Sequence, residues 1–125
     1  METTDFFEVA KRYKVLFFDA YGVLKNSCGI LEGIDRTFDF LLEADIDFYI
    51  VTNDASRSPQ RLAAAYIEQG LAVVDADRVI SSGMLATEYL RLKVKTGSVA
   101  YLGTEASAHS LQEVGLDTLS IADVN

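Results

Sequence analysis

Two short apolar runs, each closed by polar residues, restrict what this chain can fold into more than any other feature. Lys14-Val15-Leu16-Phe17-Phe18-Asp19 is apolar and aromatic up to Asp19 and is then broken by Gly22. It reads as a strand buried on both faces, the kind that parallel sheets use. Phe48-Tyr49-Ile50-Val51 repeats the pattern and ends in Thr52-Asn53-Asp54. Thr52 follows Asp19 by 33 residues, which suits one complete strand–helix–strand crossover. Between the two runs Ile34, Phe38, Leu41 and Leu42 recur at helical spacing, with Asp35, Arg36, Asp39 and Glu43 elsewhere. That pattern predicts a helix with one apolar stripe lying over the sheet.

The alternation continues along the chain. Ser58-Pro59 supplies a helix N-cap followed by proline at the first helical position, and Gly70 is a natural stop. Leu71–Val74 and Val79-Ile80 read as short extended segments, 84–92 as a helix, 98–102 as a strand, 107–114 as a helix and 118–121 as a last strand. Phe6, Phe7 and Val9 suggest an amino-terminal helix packed on the core. Strands alternating with helices imply right-handed crossovers and an α/β layered fold. Ligands of such sheets bind beyond the carboxyl ends of the strands, which is where Asp19 and Thr52-Asn53-Asp54 would lie together.

Charge narrows the partners. Eleven basic and nineteen acidic residues leave a formal charge of -8, which opposes a nucleic-acid backbone or an anionic membrane surface. Lys11, Arg12 and Lys14, and later Arg91, Lys93 and Lys95, are short clusters typical of solvated faces. The longest uninterrupted apolar stretch, Leu62 to Ile67, is far too short to cross a bilayer. The start, Met1-Glu2-Thr3-Thr4-Asp5, lacks the basic-then-apolar order of a signal peptide. One cysteine, Cys28, cannot form an internal disulfide. The expectation is a soluble cytoplasmic protein without nucleic-acid or membrane partners.

Asp19 carries the chemistry. A carboxylate ending an apolar strand is costly unless hydrogen bonds or charges compensate it. Alone it could simply cap the turn into Gly22, and Thr52-Asn53-Asp54 could be a plain turn leading to a helix cap. Together they offer more: Thr52 brings a hydroxyl, Asn53 an amide, and the next helix an amino terminus, donors suited to a dianion. A nucleophilic carboxylate facing phosphate-binding donors suits phosphoryl transfer by covalent catalysis.

Phe17-Phe18-Asp19-Ala20-Tyr21-Gly22-Val23-Leu24 resembles the first motif of the haloacid dehalogenase (HAD) superfamily. The segment 49–59, Tyr-Ile-Val-Thr-Asn-Asp-Ala-Ser-Arg-Ser-Pro, resembles the second, in the version typical of the NagD-like group, whose members insert a large cap domain after it. Val79-Ile80-Ser81-Ser82-Gly83, then 86–90 and 99–105, continue the resemblance. It implies a Rossmann-like parallel sheet in a three-layer α/β/α core. Residues 1–82 would be the amino-terminal part of that core and 83–125 the beginning of an α/β cap, with the carboxyl-terminal half of the core beyond Asn125. It further implies that Asp19 attacks phosphorus to form an aspartyl-phosphate, while Thr52 and the Asn53 backbone N–H hold the phosphoryl oxygens. Magnesium would be held by the Asp19 carboxylate and the backbone carbonyl of Tyr21. A hard cation bridging nucleophile and phosphate offsets their like-charge repulsion.

Two departures matter. Family phosphatases usually carry an acid–base aspartate two residues after the nucleophile, where this chain has Tyr21. Such catalysis contributes typically 10²–10⁴-fold, and a phenol with a pKa of about 10 replaces it poorly. The Asp-Ala-Tyr-Gly sequence is also similar to that of true dehalogenases, whose aspartate attacks carbon without metal. The third-motif lysine and fourth-motif acidic pair would lie beyond Asn125. The leading expectation is a magnesium-dependent phosphatase of a small phosphorylated metabolite. Hydrolysis at carbon and a catalytically silent domain are the alternatives, and homo-oligomer formation through an uncovered sheet edge stays open. His109, with no carboxylate or cysteine at ligand spacing, reads as a surface residue at a helix start. Cys28 reads as an inert loop thiol, Ser81 and Ser82 as caps of the following helix, and Gly103-Thr104-Glu105 as a strand-to-helix turn.

Overall fold

A computed structural model describes residues 5–123 of the chain. Its elements run α1 (Phe6–Ala10), β1 (Val15–Asp19), β2 (Lys25–Asn26), β3 (Gly29–Ile30), α2 (Ile34–Glu43), β4 (Asp47–Thr52) and α3 (Pro59–Ile67), then β5 (Val79–Ser81), α4 (Ser82–Lys93), β6 (Ser98–Tyr101), α5 (Glu105–Gln112) and β7 (Asp117–Ser120). β1, β4 and β5 form a parallel sheet in the order β1-β4-β5. β2 and β3 make a small antiparallel hairpin, and β6 and β7 a separate parallel pair joined through α5. This is the α/β parallel-sheet fold that the alternating pattern predicts.

The core lies on one face of the main sheet. Phe18, Phe48, Ile50 and Val79 are buried there with Phe38 and Leu41 of α2 and Leu62, Ala63 and Tyr66 of α3. Phe38 stacks on Phe48 at 4.5 Å between ring centroids and meets Phe18 edge-on at 5.7 Å. The α1 segment closes the bottom of this face, with Phe7 edge-on to Phe40 at 4.7 Å. Leu42 lies at the flank of the α2 stripe and is exposed. The opposite face carries Val15, Phe17 and Val51, all exposed, with Phe17 65% accessible and stacked on Tyr49. Burial on both faces, expected from the apolar runs, is therefore met on the helix-covered face alone.

Local signals account for most boundaries. Ser58 Oγ accepts from the Arg61 N–H and Pro59 opens α3. After α3 the chain closes a Schellman motif at Gly70, with φ 96°, where the Leu71 N–H reaches the Tyr66 carbonyl and the Gly70 N–H that of Ile67. Leu71–Val74, expected to be extended, forms a turn: the Val74 N–H bonds the Leu71 carbonyl at 3.1 Å, and both side chains plug the core. Their apolar character reports burial, not strand pairing. Arg78 ties the entry of β5 to β4. Its Nη1 donates to Asp47 Oδ1 at 2.6 Å and to the Phe48 carbonyl at 2.9 Å, with its guanidinium 4.3 Å from the Phe48 ring centroid. That pairing holds the Asp47 carboxyl below its ordinary value.

Candidate active site

Parallel pairing sets the site. Asp19 at the end of β1 stands opposite Val51 of β4, so Thr52 is the next residue along the neighbouring strand, itself opposite Ser81 of β5. Asp19, Thr52 and Asn53 thus reach the same carboxyl edge of the sheet, as the two apolar runs predict. The turn after Asp19 is tight: the Leu24 and Lys25 N–H groups both bond the Ala20 carbonyl, and the Gly22 N–H bonds the Lys25 carbonyl at 2.7 Å. Gly22 sits at φ 86°, a conformation costly for any other residue. This turn sends the chain into the β2–β3 hairpin, which stands beside the strand ends.

Asp19 itself is exposed, and among the described residues its side chain makes one hydrogen bond, accepting the Ala20 N–H on Oδ1 at 2.8 Å. The burial penalty inferred from the apolar run therefore does not arise, because the uncovered face leaves the carboxylate in solvent. One carboxylate oxygen stays free for a ligand. Thr52 Oγ1 accepts the Asp54 N–H at 3.2 Å, which leaves its O–H available to donate. The Tyr21 ring is 66% exposed at the mouth and carries no bond to Asp19.

Asp54 organises the loop that follows. Its Oδ1 accepts from the Ser56 N–H and hydroxyl at 2.9 and 2.7 Å, and its Oδ2 takes a two-pronged contact from Arg57 at 3.0 and 2.6 Å. Partial burial pushes this carboxyl up, but the bonds from Ser56 and Arg57 outweigh it and hold the group below its ordinary 3.8. The turn is then closed from behind by α4. Ser81, fully buried, accepts the Met84 N–H as N-cap, and a Cβ at Gly83 would stand 2.9 Å from the Ala55 carbonyl oxygen. Sequence reasoning anticipated the Ser81 cap; the Asp54-Ser56-Arg57 lock was legible only as the spacing of an Asx turn.

These strand ends and the hairpin enclose an open cleft of about 480 Å³, lined by Tyr21, Lys25, Asn26, Thr52, Asn53 and Arg57 among others. Lys25 escaped the sequence reading because a single lysine after an apolar run carries no pattern. Among the described residues no group of three or more His, Cys, Asp or Glu side chains is placed to hold a metal. Asp19 and the Tyr21 carbonyl are two hard oxygen donors beside the cleft, a set that fits magnesium, which keeps several waters and shares substrate phosphate oxygens. His109 departs from its expected place: it sits in the last turn of α5 and faces the Glu113 carboxylate at 3.4 Å. With one carboxylate and no third ligand it remains a surface residue, and Cys28 is exposed.

Known proteins resemble this chain in sequence and fold. A Cytophaga hutchinsonii protein described as a possible sugar phosphatase of the HAD superfamily is 49% identical, with a TM-score of 0.91, over 100% of this chain and 44% of its own. The glycerol phosphate phosphatase of Mycobacterium tuberculosis, solved in complex with magnesium, is 25% identical with a TM-score of 0.71, over 89% of this chain and 33% of its own. The acid sugar phosphatase of Staphylococcus saprophyticus is 24% identical over 106 residues, 85% of this chain and 40% of that protein. The chain thus spans less than half the length of each of these relatives. Residues 16–117 match the haloacid dehalogenase-like hydrolase family, from β1 through to β7. A chain matched over that span, with the sheet order and strand-end residues described above, belongs to the haloacid dehalogenase-like hydrolase family.

Proposed function

We propose that the full-length protein is a phosphatase of a small phosphorylated metabolite and that Asp19 is its nucleophile. The observation that carries this reading is the register of β1 and β4, which sets Asp19 diagonally beside Thr52 at the open sheet edge. In the reaction, the free carboxylate oxygen of Asp19 forms a bond to phosphorus as the ester P–O bond breaks. The departing alkoxide or phenolate takes its proton from water, and a second water then hydrolyses the aspartyl-phosphate. Thr52 donates its hydroxyl, and Asn53 its backbone N–H, to the phosphoryl oxygens, fixing the phosphorus in line with Asp19. Magnesium, when bound by the Asp19 carboxylate and the Tyr21 carbonyl, neutralises charge between nucleophile and phosphate. Magnesium in the structure of the Mycobacterium tuberculosis relative supports that choice.

Residues 1–82 then form the amino-terminal part of the core and 83–125 the start of the cap. The exposed Phe17 and Val51 face supports this division, because a carboxyl-terminal half of the core would cover it. Location in the cytoplasm and a small-molecule partner accord with the charge of -8.

Tyr21 gives the reading its sharpest consequence. With no carboxylic acid two residues after Asp19, leaving groups that need a proton are disfavoured, so aryl and acyl phosphates are hydrolysed faster than alkyl phosphates. Turnover of p-nitrophenyl phosphate and glycerol phosphate by the full-length protein tests this. Faster aryl hydrolysis that Asp19→Asn abolishes is expected. Equal rates on both esters, or activity indifferent to Asp19→Asn, contradict the reading; halide release from a haloacid without magnesium would favour attack at carbon instead.

A further inference from the structure

Gly83 stands where glycine has no local reason to be. It is the second residue of α4, its φ lies outside the left-handed region that favours glycine, and a glycine within a helix weakens that helix relative to alanine. The reason is tertiary. A Cβ at this position would meet the Ala55 carbonyl oxygen at 2.9 Å, its Cα at 3.0 Å and its carbonyl carbon at 3.2 Å. All three are backbone atoms, so no side chain can swing aside, and an added methyl group must displace either the main chain at Ala55 or the helix.

Ala55 belongs to the loop that would grip the phosphoryl group. Residues 53–55 lie in neither helix nor strand, so the sheet register that fixes Thr52 opposite Ser81 stops one residue short of Asn53. Asp54 ties the loop to itself through Ser56 and Arg57, which stiffens it without anchoring it to the core. Two contacts supply the anchorage: the Asp54 N–H donates to Thr52 Oγ1 at 3.2 Å on the strand side, and Ala55 rests on Gly83 on the helix side. The helix side is firm. Gly83 is buried, Ser81 Oγ accepts the Met84 N–H at 3.1 Å, and the Thr87 hydroxyl donates to the Gly83 carbonyl at 2.8 Å. Ser81 is itself the last residue of β5, so the first turn of α4 is mounted directly on the strand beside β4.

We propose that Gly83 is a positioning residue for the phosphoryl site: the main-chain contact between Ala55 and the first turn of α4 sets where the Asn53 N–H stands relative to Asp19. This deepens the phosphatase reading and rests on it. A donor moved by a fraction of an ångström loses much of its hold on a developing phosphoryl charge, because both distance and direction of the hydrogen bond degrade. Linkage makes the effect reciprocal, so phosphate held by Asn53 favours the seated first turn of α4 over its opened form.

Calorimetric titration of inorganic phosphate into the magnesium-loaded full-length protein, beside turnover of p-nitrophenyl phosphate, tests the role. Gly83→Ala is expected to weaken phosphate binding about tenfold and to lower kcat/KM by a similar factor. The melting temperature should stay within about 3 °C of the parent's, because the better helix propensity of alanine offsets the displacement. Ser82→Ala, on the exposed side of the same turn, should change neither. A merely structural glycine would lower the melting temperature and leave the phosphate affinity of the folded protein as it was; that result, or affinity and stability both unchanged, would overturn the positioning role alone. Amide exchange of the parent protein needs no variant: inorganic phosphate should slow exchange of the Met84 N–H about threefold or more. Exchange indifferent to bound phosphate would equally overturn the role. A parent protein that neither binds phosphate nor turns over p-nitrophenyl phosphate would instead overturn the phosphatase reading, and this role with it.

Discussion

The two faces of the β1-β4-β5 sheet are built from the same two apolar runs yet live in opposite environments. One face buries Phe18, Phe48, Ile50 and Val79 under α2 and α3; the other leaves Val15, Phe17 and Val51 in solvent. Alternation along a strand assigns side chains to faces, but it cannot say whether a second layer of helices exists to cover one. The site inherits the difference. Val15, Phe17 and Asp19 occupy one alternating row, so the candidate nucleophile ends the uncovered row. The candidate site sits at the border between a covered and an uncovered face of the sheet.

Substitutions can break that comparison. Phe38→Ala removes the ring that stacks on Phe48 and meets Phe18, and should cost about 3–5 kcal/mol in denaturant unfolding of either this chain or the full-length protein. Thr52→Val keeps the shape of the strand end while deleting the hydroxyl, so full-length turnover of p-nitrophenyl phosphate should fall about hundredfold, while loss of the acceptor for the Asp54 N–H costs only about 0.5–1.5 kcal/mol in unfolding. Phe17→Ser separates the two faces most clearly. In this chain it should alter stability by less than about 0.5 kcal/mol and reduce self-association seen by sedimentation. In the full-length protein it should cost about 2–4 kcal/mol if a further layer packs there.

Arg57→Met has the smallest expected effect and reads out through pH. Asp54 has a lowered carboxyl pKa in the folded state, so its pairing contributes stability above the unfolded value near 3.8 and loses it as pH falls through the lower folded value. Removing Arg57 should cost less than about 1 kcal/mol at neutral pH, with the difference from the parent chain vanishing once pH has fallen through the lowered folded value. Acid titration of both chains followed by circular dichroism checks it; a difference that grows at low pH would have the wrong sign.

Much of this was legible in the sequence because it is local. The Ser58-Pro59 start of α3, the Ser81 cap of α4 and the Gly70 stop each need only a few neighbouring residues, and all are present. The pairing of β1 with β4, which carries Asp19 to Thr52, follows from two runs of similar character one crossover apart. What escaped was set by tertiary context. Leu71 and Val74 look extended but plug a turn, and Tyr66 looks like any apolar helix position although it buries a hydroxyl that has no hydrogen-bond partner among the described residues. Asp19 illustrates the same limit from the other side: an apolar strand implied a buried carboxylate, and the bare face makes it an exposed one.

The central claim is that Asp19 becomes phosphorylated. Full-length protein quenched in acid during turnover of p-nitrophenyl phosphate, reduced with borohydride and digested, should yield the peptide containing Asp19 with that aspartate converted to homoserine, and only when magnesium is present. Conversion at another aspartate, or steady turnover with Asp19 unmodified, would contradict the account.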